Sequence, residues 1–252
     1  MNLKKVLIPI IGSDLDFHPL NKVIAKEFLP LGDRPLIDYF IEEAKDSGFD
    51  QINLIFSEEK KNLADYFKKN KTKKSEKISS SFQLDSKGIG QTVFKAKSQI
   101  KKDPFALLLP NKIIQSKRPA LSQLKKIFKT SQKPVLGFER NDFFSKALET
   151  EKIARRLYKI KRIKENFFDK VSAGRFILTP EIFNYLKKDS SHDLLKILNL
   201  MIGDGKVIYG YELEGSFLEI NTKRSWLKNN LLFSLNYLEQ DSELKKIFKK
   251  KI

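Results

Sequence analysis

VLIPIIG (6–12) and KEFLPLGDRPLIDYF (26–40) decide how this chain folds. The first is an apolar run of strand length that closes on a glycine. The second ends in an amphipathic helix: Leu36, Tyr39, Phe40 and Ala44 fall near helical spacing, and Gly48 supplies a C′ stop. Strand, loop and helix in that order open an α/β sheet, and the alternation continues outward. QINLIF (51–56) reads as a second strand, and SEEKKNLADYFKKN (57–70) as a helix capped by Ser57. KISSSFQL (77–84) reads as extended, GIGQTVFKAKSQI (88–100) as a glycine turn opening into a helix, and PFALLLP (104–110) as a central buried strand. In the second half a helix is expected over 119–130, a strand at 134–139 and a β-rich stretch at 152–166. A strand then leads into a helix over 172–188, begun by Thr179 as cap and Pro180. A helix at 192–205, a strand at 207–213 and a long helix at 223–240 complete the chain. This pattern predicts an α/β domain whose largely parallel sheet is covered on both faces. The expected division is a domain over 1–222, with a C-terminal helix and basic tail over 223–252 packed on it.

At 252 residues the chain can bury a full core. The absence of cysteine excludes disulfides and thiolate metal sites, and His18 and His192 are too few for a histidine-rich zinc site. No secretory signal is visible, and no run approaches the roughly 20 apolar residues a bilayer demands, so a cytoplasmic protein without a membrane span is expected. The net charge of +18 comes mainly from lysine spread along the chain, with arginine scarce. Two clusters stand out, KKNKTKKSEK (68–77) and KKIFKKKI (245–252). A solvated surface is the plain reading of both, polyanion or membrane-surface contact the alternative, and nucleic acid is not the favoured partner.

Gly12, Pro19, Lys22, Lys26, Glu27, Leu29, Pro30, Pro35, Leu36 and Ile37 together form a pattern. It resembles the opening of the UTP–glucose-1-phosphate uridylyltransferase family of sugar-nucleotide pyrophosphorylases. The resemblance implies a three-layer, Rossmann-like nucleotidyltransferase fold with a mostly parallel mixed sheet. It implies that Lys26 is the catalytic, phosphate-contacting lysine and that Gly12 lets the loop backbone approach the nucleotide. Gly88-Ile89-Gly90 resembles the family's G-L-G turn, packed against the base. Gln83, five residues earlier, matches the glutamine that reads the uracil edge, where an amide can both donate and accept. Ala173-Gly174-Arg175-Phe176 resembles the family's V-G-R-Y strand, whose glycine lies beside the sugar. UTP or a UDP-sugar is the implied ligand, with Mg²⁺ as cofactor if the chain is active.

The departures fall on charged positions. Asp14, Leu15 and Asp16 stand where the family has G-T-R, so the loop arginine becomes Asp16 and a loop glycine becomes Asp14. The metal aspartate after the central strand becomes Asn111 in Leu109-Pro110-Asn111. Glu219 meets the second metal aspartate only by a one-residue shift. Lys164-Glu165-Asn166 faces the family's E-K-P, and His192-Asp193-Leu194-Leu195-Lys196 faces its glucose-binding helix. Losing a single preorganised stabiliser of developing charge typically costs a factor of about 10²–10³ in rate. Three readings follow. The chain is a divergent uridylyltransferase, with turnover impaired or lost. It is a non-catalytic nucleotide- or partner-binding descendant, as a homo-oligomer or as a subunit of an active pyrophosphorylase, with a partner surface around Trp226, Leu227, Leu231, Leu232 and Phe233. Or it is a polyanion-binding protein.

Overall fold

The computed structural model describes residues 2–12, 14–69, 77–83, 88–189, 191 and 193–238. His192, most of the first lysine cluster and all of the second lie outside the described residues. The strands are β1 (Lys5–Ile10), β2 (Pro30–Leu31), β3 (Arg34–Pro35), β4 (Gln51–Ser57), β5 (Lys77–Gln83), β6 (Phe105–Leu108) and β7 (Lys112–Gln115). They continue as β8 (Val135–Phe138), β9 (Leu148–Ala154), β10 (Leu157–Ile163), β11 (Ser172–Leu178), β12 (Tyr209–Glu212) and β13 (Ser216–Glu219). The helices are α1 (Leu36–Asp46), α2 (Ala64–Lys69), α3 (Ile89–Lys95), α4 (Lys97–Ile100), α5 (Ala120–Ser131), α6 (Phe144–Ala147), α7 (Ile182–Lys188), α8 (Leu194–Gly203) and α9 (Lys223–Leu238).

Nine strands form one sheet in the order β5-β4-β1-β6-β11-β8-β12-β10-β9. β1 pairs in parallel with β4 and β6, β4 with β5, and β8 with β12. β11 runs antiparallel to β6 and β8, and β10 antiparallel to β12 and β9. The largely parallel sheet expected from the alternating pattern is therefore present, and it is mixed, as the resemblance implies.

Its strands are apolar on both sides because both faces are covered. Val6, Ile8 and Ile10 of β1 join Ile52, Leu54 and Phe56 of β4 in a core with Leu36, Phe40, Leu121 and Leu124 of α1 and α5. Leu7, Phe105 and Leu107 face the other way, toward Val93, Ile182, Leu186 and Leu198 of α3, α7 and α8. Helices, sheet and helices make three layers.

From β1 the chain moves outward through β4 and β5, then returns to lay β6 on the opposite side of β1. The gap between these excursions is a topological switch point, where open α/β sheets receive ligands at the carboxyl ends of their strands.

Two expected caps are absent. Ser57 closes β4, in register with Gln83 of β5, and a 3-10 segment at Glu58–Leu63 precedes α2. Its hydroxyl is buried without a hydrogen-bond partner among the described residues. A residue held in the sheet ladder cannot also leave it to cap a helix. Thr179 likewise fails to cap, because α7 starts later, at Ile182, and the Thr179 hydroxyl is buried and has no partner among the described residues.

Up to Ser234, the side chains of α9 that pack lie on one side of the helix. Trp226 Nε1 donates to the Pro30 carbonyl at 2.8 Å, and Asn229 Nδ2 to that of Glu219 at 2.7 Å. Phe233 meets Tyr39 of α1 edge-on, ring centroids 5.3 Å apart. Leu227, Leu231 and Leu232 remain exposed. The stripe read from the sequence thus divides into a docked half and a solvent-facing half. No helix among the described residues is long and apolar enough to cross a membrane.

Candidate functional site

The carboxyl edge gathers the expected residues from distant parts of the chain. Gly12 follows β1, Gln83 ends β5, Gly88 precedes α3, Asn111 follows β6, and Gly174 lies early in the antiparallel β11. Gly12 and Gly88 have φ of 102° and 103°, and among the described residues a Cβ added at either would meet nothing within 4 Å. Both turns therefore leave their backbone open to an incoming group. Gly174 is different: at φ 69° an added Cβ would lie 2.6 Å from Asn111 Oδ1 and 2.9 Å from the Leu109 carbonyl. Its bare backbone is what lets the Asn111 side chain fit against β11. Gln83 is 1% exposed and held at both ends of its amide. Nε2 donates to Gln91 Oε1 at 3.0 Å, and Oε1 accepts from Thr92 Oγ1 at 2.8 Å. The amide is thereby fixed in orientation beside the Gly88 turn.

Lys26 reaches this edge already partnered. Asp14, in the left-handed region at φ 51°, turns its carboxylate inward, where it is 3% exposed. The carboxylate accepts the Lys26 backbone N–H at 3.2 Å and lies 3.8 Å from the Lys26 ammonium. It lies 2.7 Å from the ammonium of Lys60, which also meets Glu27 at 3.0 Å. Burial pushes the Glu27 carboxyl above its ordinary range, with Asp14 adding to the rise and Lys60 opposing it. Two ammonium groups and two carboxylates cancel in this cluster, and Asp16 stands exposed nearby in the 3-10 segment Leu15–Phe17. A phosphate arriving here meets a lysine pair that an internal anion already occupies.

A second charged group lies past β6. Lys112, 0% exposed, points its ammonium between Glu139 Oε2 at 3.3 Å and Glu219 Oε1 at 3.1 Å. The β7–β13 pairing sets this up, because it places Glu219 directly opposite Lys112. Asn111 Oδ1 is buried and has no hydrogen-bond partner among the described residues. Magnesium takes one or two carboxylates in near-octahedral geometry, usually completed by water and phosphate. Here Asn111 offers a neutral oxygen, while Glu219 and Glu139 share an ammonium. Among the described residues no group of three histidine, cysteine, aspartate or glutamate side chains could hold a metal. A cation taking both carboxylates would leave the buried Lys112 ammonium without its two counter-ions, which costs free energy because a charge out of water needs a partner. The residues present do not fit the ion.

Other expected positions have structural partners. Arg175 of the A-G-R-F strand is fully buried, and its guanidinium grips Glu43 of α1 and donates to the Lys112 carbonyl at 2.8 Å. Asp193 caps α8, accepting the Leu195 N–H at 2.9 Å. Lys164 pairs with Glu149 across the β9–β10 hairpin at 3.2 Å. The sequence reading did not single out Lys60, Lys112 or Glu139. For Lys112 a signal existed, since a lysine directly after a wholly apolar strand and an asparagine invites the question of its counter-ion. For Lys60 none did.

An open three-layer α/β sheet with glycine turns, a buried amide and lysines at its switch point has the architecture of a Rossmann-like nucleotide-binding domain. The chain belongs to the nucleotidyl transferase family, whose sequence model matches residues 12–230. The UTP–glucose-1-phosphate uridylyltransferase of Staphylococcus haemolyticus is 27% identical over 98% of both chains. The solved UDP-glucose pyrophosphorylase of Acinetobacter baumannii superposes with a TM-score of 0.85 over 99% of both chains, at 23% identity. Another, solved in complex with UDP-glucose, gives 0.81 at 25% identity, over 95% of this chain and 100% of that one.

Proposed function

We propose that this chain binds a UDP-sugar at the carboxyl edge of β1, β5 and β6 and carries out uridylyl transfer between UTP and a sugar 1-phosphate weakly or not at all. The observation that carries this reading is the Asp14 carboxylate seated between Lys26 and Lys60. A UDP-sugar carries two fewer negative charges than UTP and loses less to that internal anion. In this reading Gln83 holds the uracil edge, the open backbones at Gly12 and Gly88 admit phosphate and base, and Gly174 with Asn111 borders the sugar. Lys26 orients the phosphates but cannot offer them its full charge. The likeness to the UDP-glucose complex and to the uridylyltransferase relatives supports the choice of uridine. A calorimetric titration with UDP-glucose and UTP, repeated on Gln83→Ala, tests it. Binding of UDP-glucose by the wild type and its loss in the variant are expected. Tighter binding of UTP than of UDP-glucose, or rapid pyrophosphate release from UTP and glucose 1-phosphate, would overturn it.

The exposed leucines of α9 favour a second reading, in which the same fold acts as a partner subunit of an active pyrophosphorylase. Light scattering of the protein with and without such an enzyme decides it. A sum of two separate masses rules it out.

A further inference from the structure

We propose that Lys112 is the resident cation of this site, so that the chain binds its ligand without a divalent metal. The ammonium belongs to a side chain only 1% exposed and is flanked by two carboxylates from elements far apart in sequence, Glu139 after β8 and Glu219 on β13. Both carboxylates reach toward solvent, being 29% and 51% exposed, while the charge that balances them lies beneath. That is the reverse of a metal site, where the carboxylates face a cation arriving from outside. The backbone fixes the arrangement: the β7–β13 ladder puts Glu219 opposite Lys112, and the Ile220 N–H donates to the Asn111 carbonyl at 3.1 Å. A divalent ion can take these oxygens only by leaving the ammonium buried and unpaired. Lysine supplies the positive charge permanently, at a cost in adaptability, because an ammonium cannot gather water and phosphate oxygens around itself as magnesium does. The inference therefore deepens the reading of a binding site with weak turnover, and one arm of its test stands apart from that reading.

That arm uses Mn²⁺ alone, followed by the loss of its free-ion resonance in electron paramagnetic resonance. The wild type is expected to leave millimolar Mn²⁺ free. Lys112→Met, close in volume and without charge, exposes two unbalanced carboxylates and is expected to bind Mn²⁺ at least tenfold more tightly. Lys112→Arg keeps the charge and is expected to behave as the wild type. Wild-type protein that sequesters Mn²⁺ as strongly as Lys112→Met overturns the proposal. So does Lys112→Arg binding the ion as Lys112→Met does. The second arm needs only wild-type protein and holds even if Lys112→Met does not fold. The Kd for UDP-glucose in EDTA should match that in Mg²⁺ within a factor of two, and tightening by tenfold or more in Mg²⁺ overturns the proposal. If UDP-glucose does not bind in either buffer, the uridine reading fails and the Mn²⁺ result still decides the role of Lys112.

Discussion

Replacing Asp14 by asparagine should loosen the fold slightly and tighten phosphate binding strongly. Asparagine has nearly the same shape and tolerates the left-handed backbone at φ 51°. It can still accept the Lys26 N–H, so the substitution removes charge and little else. Lys60 keeps Glu27 at 3.0 Å, and the stability loss should be a fraction of the ~3–5 kcal/mol for stranding a buried charge. The gain for a ligand is larger. Two anions sharing an ammonium sit about 5 Å apart, and at an effective dielectric of about 20 each unit charge pair repels by about 3 kcal/mol. That corresponds to about two orders of magnitude in affinity per ligand charge placed there. The cluster is nearly closed to solvent, so salt screens this repulsion poorly. Calorimetry with pyrophosphate, UTP and UDP-glucose on both proteins is the assay. Asp14→Asn should bind pyrophosphate about a hundredfold more tightly, with UTP gaining more than UDP-glucose. An unchanged ratio of UTP to UDP-glucose affinity, in a variant that melts near the wild type, would refute the idea that Asp14 occupies the phosphate position.

Gly174→Ala should be among the most damaging single-methyl additions. It combines about 1–2 kcal/mol of left-handed strain with an overlap at 2.6 Å of Asn111 Oδ1 that adds about 1–3 kcal/mol. A Tm drop of roughly 5–15 °C is expected in a domain of this size, and a drop under a degree contradicts the contact. Gln83→Ala removes the amide held by Gln91 and Thr92, and should weaken UDP binding more than tenfold while leaving pyrophosphate unaffected. Equal weakening of both shows a general loss of structure instead. Glu27 gives a pH dependence whose direction follows from burial. Its folded carboxyl takes up a proton at higher pH than in the unfolded chain, so its stabilising contribution is complete below about pH 4.3. That contribution is lost as pH rises through the elevated value. Glu27→Gln should flatten the decline in Tm over that window, and an undiminished decline assigns it to other groups.

Much of the fold was legible because it rests on short-range rules. Val6 to Ile11 is apolar at every position, the pattern of a strand buried on both faces, and a run this short with a glycine after it favours a strand over a helix. Leu36, Phe40 and Ala44 recur at helical spacing, and all three are fully or nearly fully buried. Gly12, Gly48 and Gly88 do take positive φ, because a residue without Cβ marks a turn in the text itself. The small pairings were missed: β2, β3, β7 and β13 are two to four residues long, too short to show a period. The caps expected at Ser57 and Thr179 failed because a local rule about side-chain oxygens was overridden, at Ser57 by the sheet ladder and at Thr179 by a later helix start.

The sequence by itself determined the α/β class, the order of the longer strands and helices, the glycine turns and the identity of the charged substitutions. It also established that Asp14 and Asn111 differ from what the resemblance asks at those positions. Only the tertiary structure decided what those substitutions do. Asp14 meets Lys60 because β4 lies beside β1, and Lys112 meets Glu219 because β13 pairs with β7 in one particular register. Backbone conformation and burial period are set by near neighbours in the chain. The partner of a buried charge is set by which strands adjoin and by a register in which one residue of slip turns every side chain to the other face.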